Sequence, residues 1–137
     1  MNIDKMCNGN VDGLFEFDLK IYPLIVCVSL DVEQEKLEEI FEDVPQFEDT
    51  DAAYVSLLHR RIDNANVVLM RFDDKKPSAD LIAHESAHAT FEILDYIKFN
   101  LDYENQEPVT YLLGYIVGVV HDTVNNYNKE TTDFLNG

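Results

Sequence analysis

The sequence predicts one α+β domain, a small, mostly antiparallel sheet packed on two long helices. Three observations lead there. Tyr22–Leu30 and Asn66–Phe72 are near-continuous apolar runs rich in Val, Leu and Ile, the pattern of buried strands. Ala52–His59 is a third short apolar stretch close to the second. From Ser78 onwards, two long segments carry apolar residues at helical spacing. Strands therefore gather at the front of the chain and long helices at the back, which is the α+β order. At 137 residues the whole chain, 1–137, is read as a single domain large enough to bury a core.

Each element has its own signal. Residues 1–13, with Asn, Asp and two Gly, read as a loose lead-in. After the Tyr22–Leu30 strand, Asp31 is placed to cap a helix in which Leu37, Ile40, Phe41 and Val44 share one face and carboxylates the other. Pro45–Asp51 is a loop. Ala52–His59 and Asn66–Phe72 are joined by the short RRIDNA link, which suits a hairpin. Asp73–Pro77 is a turn, and Ser78 is a good cap for a helix running to about Phe99. Asn100–Gln106 is a polar connection. Pro108 suits the first position of a second long helix that is apolar nearly all round until His121. Gly114 and Gly118 in that helix are expected to let a neighbouring helix approach, and the tail from Lys129 is polar.

Composition narrows the function classes. Ten Lys and Arg against 27 Asp and Glu give a formal charge of −17, which repels phosphate backbones and anionic lipid. Nucleic acid and membrane are excluded as partners, and a basic peptide or protein is favoured. Cys7 and Cys27 lack C-x-x-C spacing and read as isolated thiols. No apolar run is long enough to span a bilayer, and the start of the chain lacks the pattern of a secretory signal. The setting expected is soluble, reducing and cytoplasmic.

The stretch that carries chemistry is Leu81–Phe91, LIAHESAHATF. His84 and His88 are four residues apart, so on a helix they share one face about 6 Å apart along the axis. Both imidazoles reach one metal ion, while Glu85 stands beside it, placed to take a proton from a water that a zinc activates. A hydrolytic zinc takes a third protein ligand, and the downstream candidates are Asp102, Glu104, Glu107 and His121. Glu107 precedes Pro108 at the expected cap of the last helix. A short loop returning that helix antiparallel would bring it within reach of the histidines. Glu92, one turn after His88, has the place of a carboxylate that orients an imidazole.

His84-Glu85-Ser86-Ala87-His88, followed by eighteen residues and Glu107, resembles the H-E-x-x-H-x18-E pattern of the gluzincin zinc peptidases. The strand–strand–helix–loop–helix order over Ala52–Asn126 also resembles the core of a zincin-like fold. The compact size and the E-P-x-x-Y run are similar to small phage and prophage proteins with an H-E-x-x-H helix. The resemblance implies a metallopeptidase with His84, His88 and Glu107 as zinc ligands and Glu85 as general base. Tyr111, four residues after Glu107, has the spacing of a hydrogen-bond donor to an oxyanion, and equally of a packing tyrosine. The chain departs from the larger peptidases in having Gln106-Glu107-Pro108 where they carry an N-E pair. Two rival readings stand beside hydrolysis: an acidic interaction or charge-mimic protein without catalysis, and a structural zinc domain.

Overall fold

The structure, a computed structural model, describes the backbone of residues 5–6 and 11–136 and the surroundings of side chains 11–129. Along the chain come β1 (Lys5–Met6), β2 (Leu14–Asp18), β3 (Ile25–Leu30), α1 (Gln34–Ile40), β4 (Ala53–His59), β5 (Asn66–Phe72), α2 (Ala79–Tyr96) and α3 (Glu107–Asn136). The fold is α+β, with four full strands and the two-residue β1 in one mixed sheet of order β1-β2-β3-β5-β4. β3 and β5 pair in parallel, while the other neighbours are antiparallel. β5 lies inside the sheet and is buried from Val67 to Phe72, whereas β4 forms the edge. A strand covered on both faces needs apolar residues at every position, and VVLMRF supplies all but one.

Alternation sorts the core into two layers. Val26, Val28, Val68, Met70 and Phe72 face α2 and α3, meeting Ile82, Ala89 and Ile93 of α2 and Ile116, Val119 and Val120 of α3. Leu14, Cys27, Val67 and Leu69 face the other way, onto Leu37 and Ile40 of α1 and the following Phe41. α2 and α3 run antiparallel along the sheet. Tyr96, at the end of α2, accepts a hydrogen bond from the Asn66 side-chain amide at the start of β5 (2.9 Å). Asn128 of α3 donates to the Lys75 carbonyl, just before α2 begins (2.9 Å). No helix among the described residues is long and apolar enough to cross a membrane.

Several expectations are corrected. β2 was not expected, although LFEFD alternates; its hairpin with β3 displaces the start of the expected Tyr22 strand to Ile25. The intervening turn carries Lys20 at φ 64° and backbone bonds from Ile21 to Leu19 and from Leu24 to Tyr22. Asp31 does not cap α1. It sits in the left-handed region at φ 57° and donates its N–H to Phe72, closing the end of β5, so that Glu33 takes the cap. α1 stops at Ile40 because Phe41 turns extended and bridges to Arg60. α3 continues through the polar tail to Asn136. A Cβ on Gly114 would meet nothing within 4 Å, so that glycine serves no close helix approach. Gly13 is the constrained one: at φ +85°, its added Cβ would lie 2.5 Å from the Leu30 carbonyl oxygen. Cys27 is disulfide-bonded rather than an isolated thiol. Cys7, the only other cysteine, lies outside the described residues.

Two arginines fasten the α1 side. Arg71, 4% exposed on β5, donates to Gln34 Oε1 (2.6 Å), to the Pro45 carbonyl (3.2 Å) and to the Val32 carbonyl (3.3 Å). Its guanidinium also lies 4.2 Å from the Phe47 ring centroid. It thereby ties the loop before β4 to α1 using neutral acceptors and a ring face. Arg60, just past β4, forms a two-bond fork onto Asp63 (3.1 and 2.8 Å) and an ion pair to Glu16 of β2. The guanidinium beside Asp63 lowers that carboxyl from 3.8 to about 2. A carboxyl depressed in the folded state stabilises fully above its unfolded value, and the contribution fades as pH falls towards the folded one. The stability difference between wild type and Asp63→Asn is therefore expected to be largest above pH 4 and to shrink as pH falls towards 2. Urea titrations across that range check this, and a difference independent of pH would contradict it.

Candidate metal and hydrolytic site

The site begins at Ser78, whose Oγ accepts the Leu81 N–H at 3.3 Å and satisfies one of the unpaired donors at the start of α2. The phase of the helix is then set by its buried stripe, Ile82, Ser86, Ala89 and Ile93. That stripe leaves His84 and His88 exposed. Glu85 falls on the flank of that stripe and is buried, within electrostatic reach of Asp51 in the loop before β4. The neighbouring Phe91, one turn past His88, is half-exposed on the same outer face.

The two imidazoles meet. Their Nε2 atoms are 3.2 Å apart, and the rings stand edge to face at 4.8 Å between centroids. Two nitrogens each about 2.0–2.1 Å from one tetrahedral zinc would stand about 3.3 Å apart, so the pair has the spacing of two ligands. One Nε2–H donating to the other Nε2 has the same separation. Glu85 is 5% exposed, and its Oε2 has no hydrogen-bond partner. Burial raises its carboxyl above the ordinary value; the nearby His88 and His84 pull it down, and Asp51 pushes it up again.

Asp51 is the residue that sequence reasoning missed. It lies in the loop before β4, where its carboxylate accepts the Glu48 N–H (3.2 Å). Two pairings carry it to α2: Ala53 sits opposite Phe72, and the Asp73 N–H donates to the Ala52 carbonyl (3.0 Å). No spacing motif records such a contact, because it depends on strand pairing followed by a turn.

Glu107 is placed differently. α2 continues for eight residues after His88, about 12 Å of rise, before α3 starts. Glu107 is exposed in the first turn of α3, at the end of the sheet where Tyr96 meets Asn66. Its neighbour Pro108 lines a cavity of about 590 Å³ with Leu19, Ile21, Tyr22, Tyr111 and Tyr115. Tyr111, 75% exposed, belongs to that cavity, which includes none of His84, Glu85 or His88. The structure thus brings His84, Glu85 and His88 together and leaves Glu107 and Tyr111 at the far end. Among the described residues no group of three or more His, Cys, Asp or Glu is close enough to share an ion.

Comparison of the chain with protein-family models, curated proteins and solved structures finds no match.

The 3.2 Å pair leads to a measurable expectation. Zinc at a hundred times its dissociation constant should raise the unfolding free energy by about 2.7 kcal/mol. The same zinc should leave the His84→Ala/His88→Ala double variant unchanged. Thermal melts with and without zinc check this, and equal stabilisation of both proteins would contradict it.

Proposed function

We propose that the protein is a small zinc-dependent peptidase that works on the β4 side of α2. The observation that carries this reading is the combination of paired Nε2 atoms with the buried, unpartnered Glu85 oxygen next to them. A buried carboxylate oxygen without a partner is costly for stability alone, and such groups gather where chemistry is done. His84 and His88 would hold the metal. A bound zinc would supply Lewis acidity there, polarising a scissile carbonyl and acidifying water.

The chain's own residues account for the rest. β4 is the edge strand; Phe41 and Glu42 pair with its His59 end, and along the remainder, towards Ala53, an extended peptide adds as a further strand. Glu85, made more basic by burial, accepts the proton of the water that attacks the carbonyl carbon. As the C–N bond breaks, that proton passes to the leaving amine, so Glu85 ends as it began. Phe91 offers an apolar surface to a peptide side chain beyond His88.

One observation favours a non-catalytic alternative, an acidic interaction domain: the two rings satisfy each other, and no third ligand converges among the described residues. Glu85→Gln separates the readings. It should retain zinc and fold while peptide cleavage falls by about 10²–10⁴-fold. Wild type and variant equally inactive on a broad peptide library would favour the interaction domain.

The third ligand is tested separately. The gluzincin pattern would use Glu107, and no group of three possible ligands comes together among the described residues. Glu107→Ala is expected to weaken zinc by less than about tenfold, under about 1.4 kcal/mol. A larger loss, with the fold intact, would show that α3's first turn belongs to the metal site.

A further inference from the structure

The end of the sheet where α2 starts carries a rim of carboxylates from three separate segments. Glu48, Asp49 and Asp51 come from the loop before β4, Asp73 and Asp74 from the turn after β5, and Asp80 from the first turn of α2. All six are exposed, and the turn also carries Lys75 and Lys76. The segments are held together by the Asp73-to-Ala52 backbone bond, by Ala53 opposite Phe72, and by the Ser78 cap. His84 stands five residues into α2 from Ala79, about 7.5 Å of rise from that end. At its inner edge, beside Asp51, stands Glu85 with its buried and unpartnered Oε2.

We propose that this rim makes the β4–α2 edge a receptor for cationic peptides, with Lys or Arg side chains lying on the carboxylates beside His84. The inference rests on the proposed peptide hydrolysis for what happens next, though not for the binding itself. The geometry fits an extended chain. A peptide added to β4 projects alternate side chains on each face. Side chains of that peptide at the Ala53 end therefore come close to the segments that carry the loop and turn carboxylates. Exposed charges attract weakly one by one, but six in one patch give a directional field that screens with salt.

Binding is measured by fluorescence anisotropy with the full-length Glu85→Gln variant. The probes are a Lys/Arg-rich peptide and a twin in which those positions are Glu. The cationic peptide should bind at least about tenfold tighter, with the preference fading in high salt. Glu48→Gln/Asp49→Asn/Asp74→Asn should remove most of that preference. The control Glu33→Gln/Glu35→Gln/Glu39→Gln, at α1, changes net charge equally and should keep it. No preference, or equal loss in both triple variants, would overturn the rim and leave only net charge. If wild type cleaves neither peptide while the preference and its localisation hold, the rim stands and the hydrolytic reading fails.

Discussion

The placement of β5 between a parallel and an antiparallel neighbour is the constraint on which the rest depends. Its six buried positions require a layer on each face. One face takes α1, which the chain forms on its way from β3 to β4; the other takes α2 and α3. β4 pairs with β5 on the side opposite β3 and is left at the edge. The turn after β5 can then only send α2 back over the two strands it has just built. The first half of α2, which carries the histidine pair, thus starts from the end of the sheet where β4 begins, and the same pairing brings Asp51 towards Glu85.

The polar groups divide between holding the fold and standing ready for chemistry. Arg60 and Arg71 are buried with their hydrogen bonds largely met, and they fasten segments on the α1 side. Tyr127 does similar work on the other side: its hydroxyl donates to Asp12 (3.1 Å), and burial, with Asp12 beside it, pushes its pKa up to about 12. Glu85 differs from all of these. It is buried on a helix with no donor for its second oxygen, while the two imidazoles next to it are exposed. That asymmetry, a basic group sheltered and ligands open, is what the proposed hydrolysis would use.

Periodicity made much of this legible. β4, β5 and α2 lie close to where apolar patterning and the Ser78 cap place them, because these signals are local. β2 escaped because Glu16 and Asp18 dilute a five-residue strand whose partner supplies most of its reason to form. Asp31 looked like a cap, yet its N–H is claimed by Phe72 across the sheet, a contact no local rule contains. In the site, the i, i+4 histidines were legible from spacing alone. A third position is not legible in the same way: Glu107 lies at a familiar sequence distance, but the length of α2 beyond His88 and the link to α3 decide where that distance ends in space.

The central claim is that His84 and His88 act as one ligand pair, and the zinc environment itself tests it most directly. X-ray absorption at the zinc edge can be recorded on the full chain loaded with a single equivalent. The account predicts two imidazole nitrogens at about 2.0–2.1 Å with the outer-ring scattering that marks histidine. A spectrum showing only the oxygen shell of the hydrated ion, unchanged in the His84→Ala/His88→Ala variant, would contradict it.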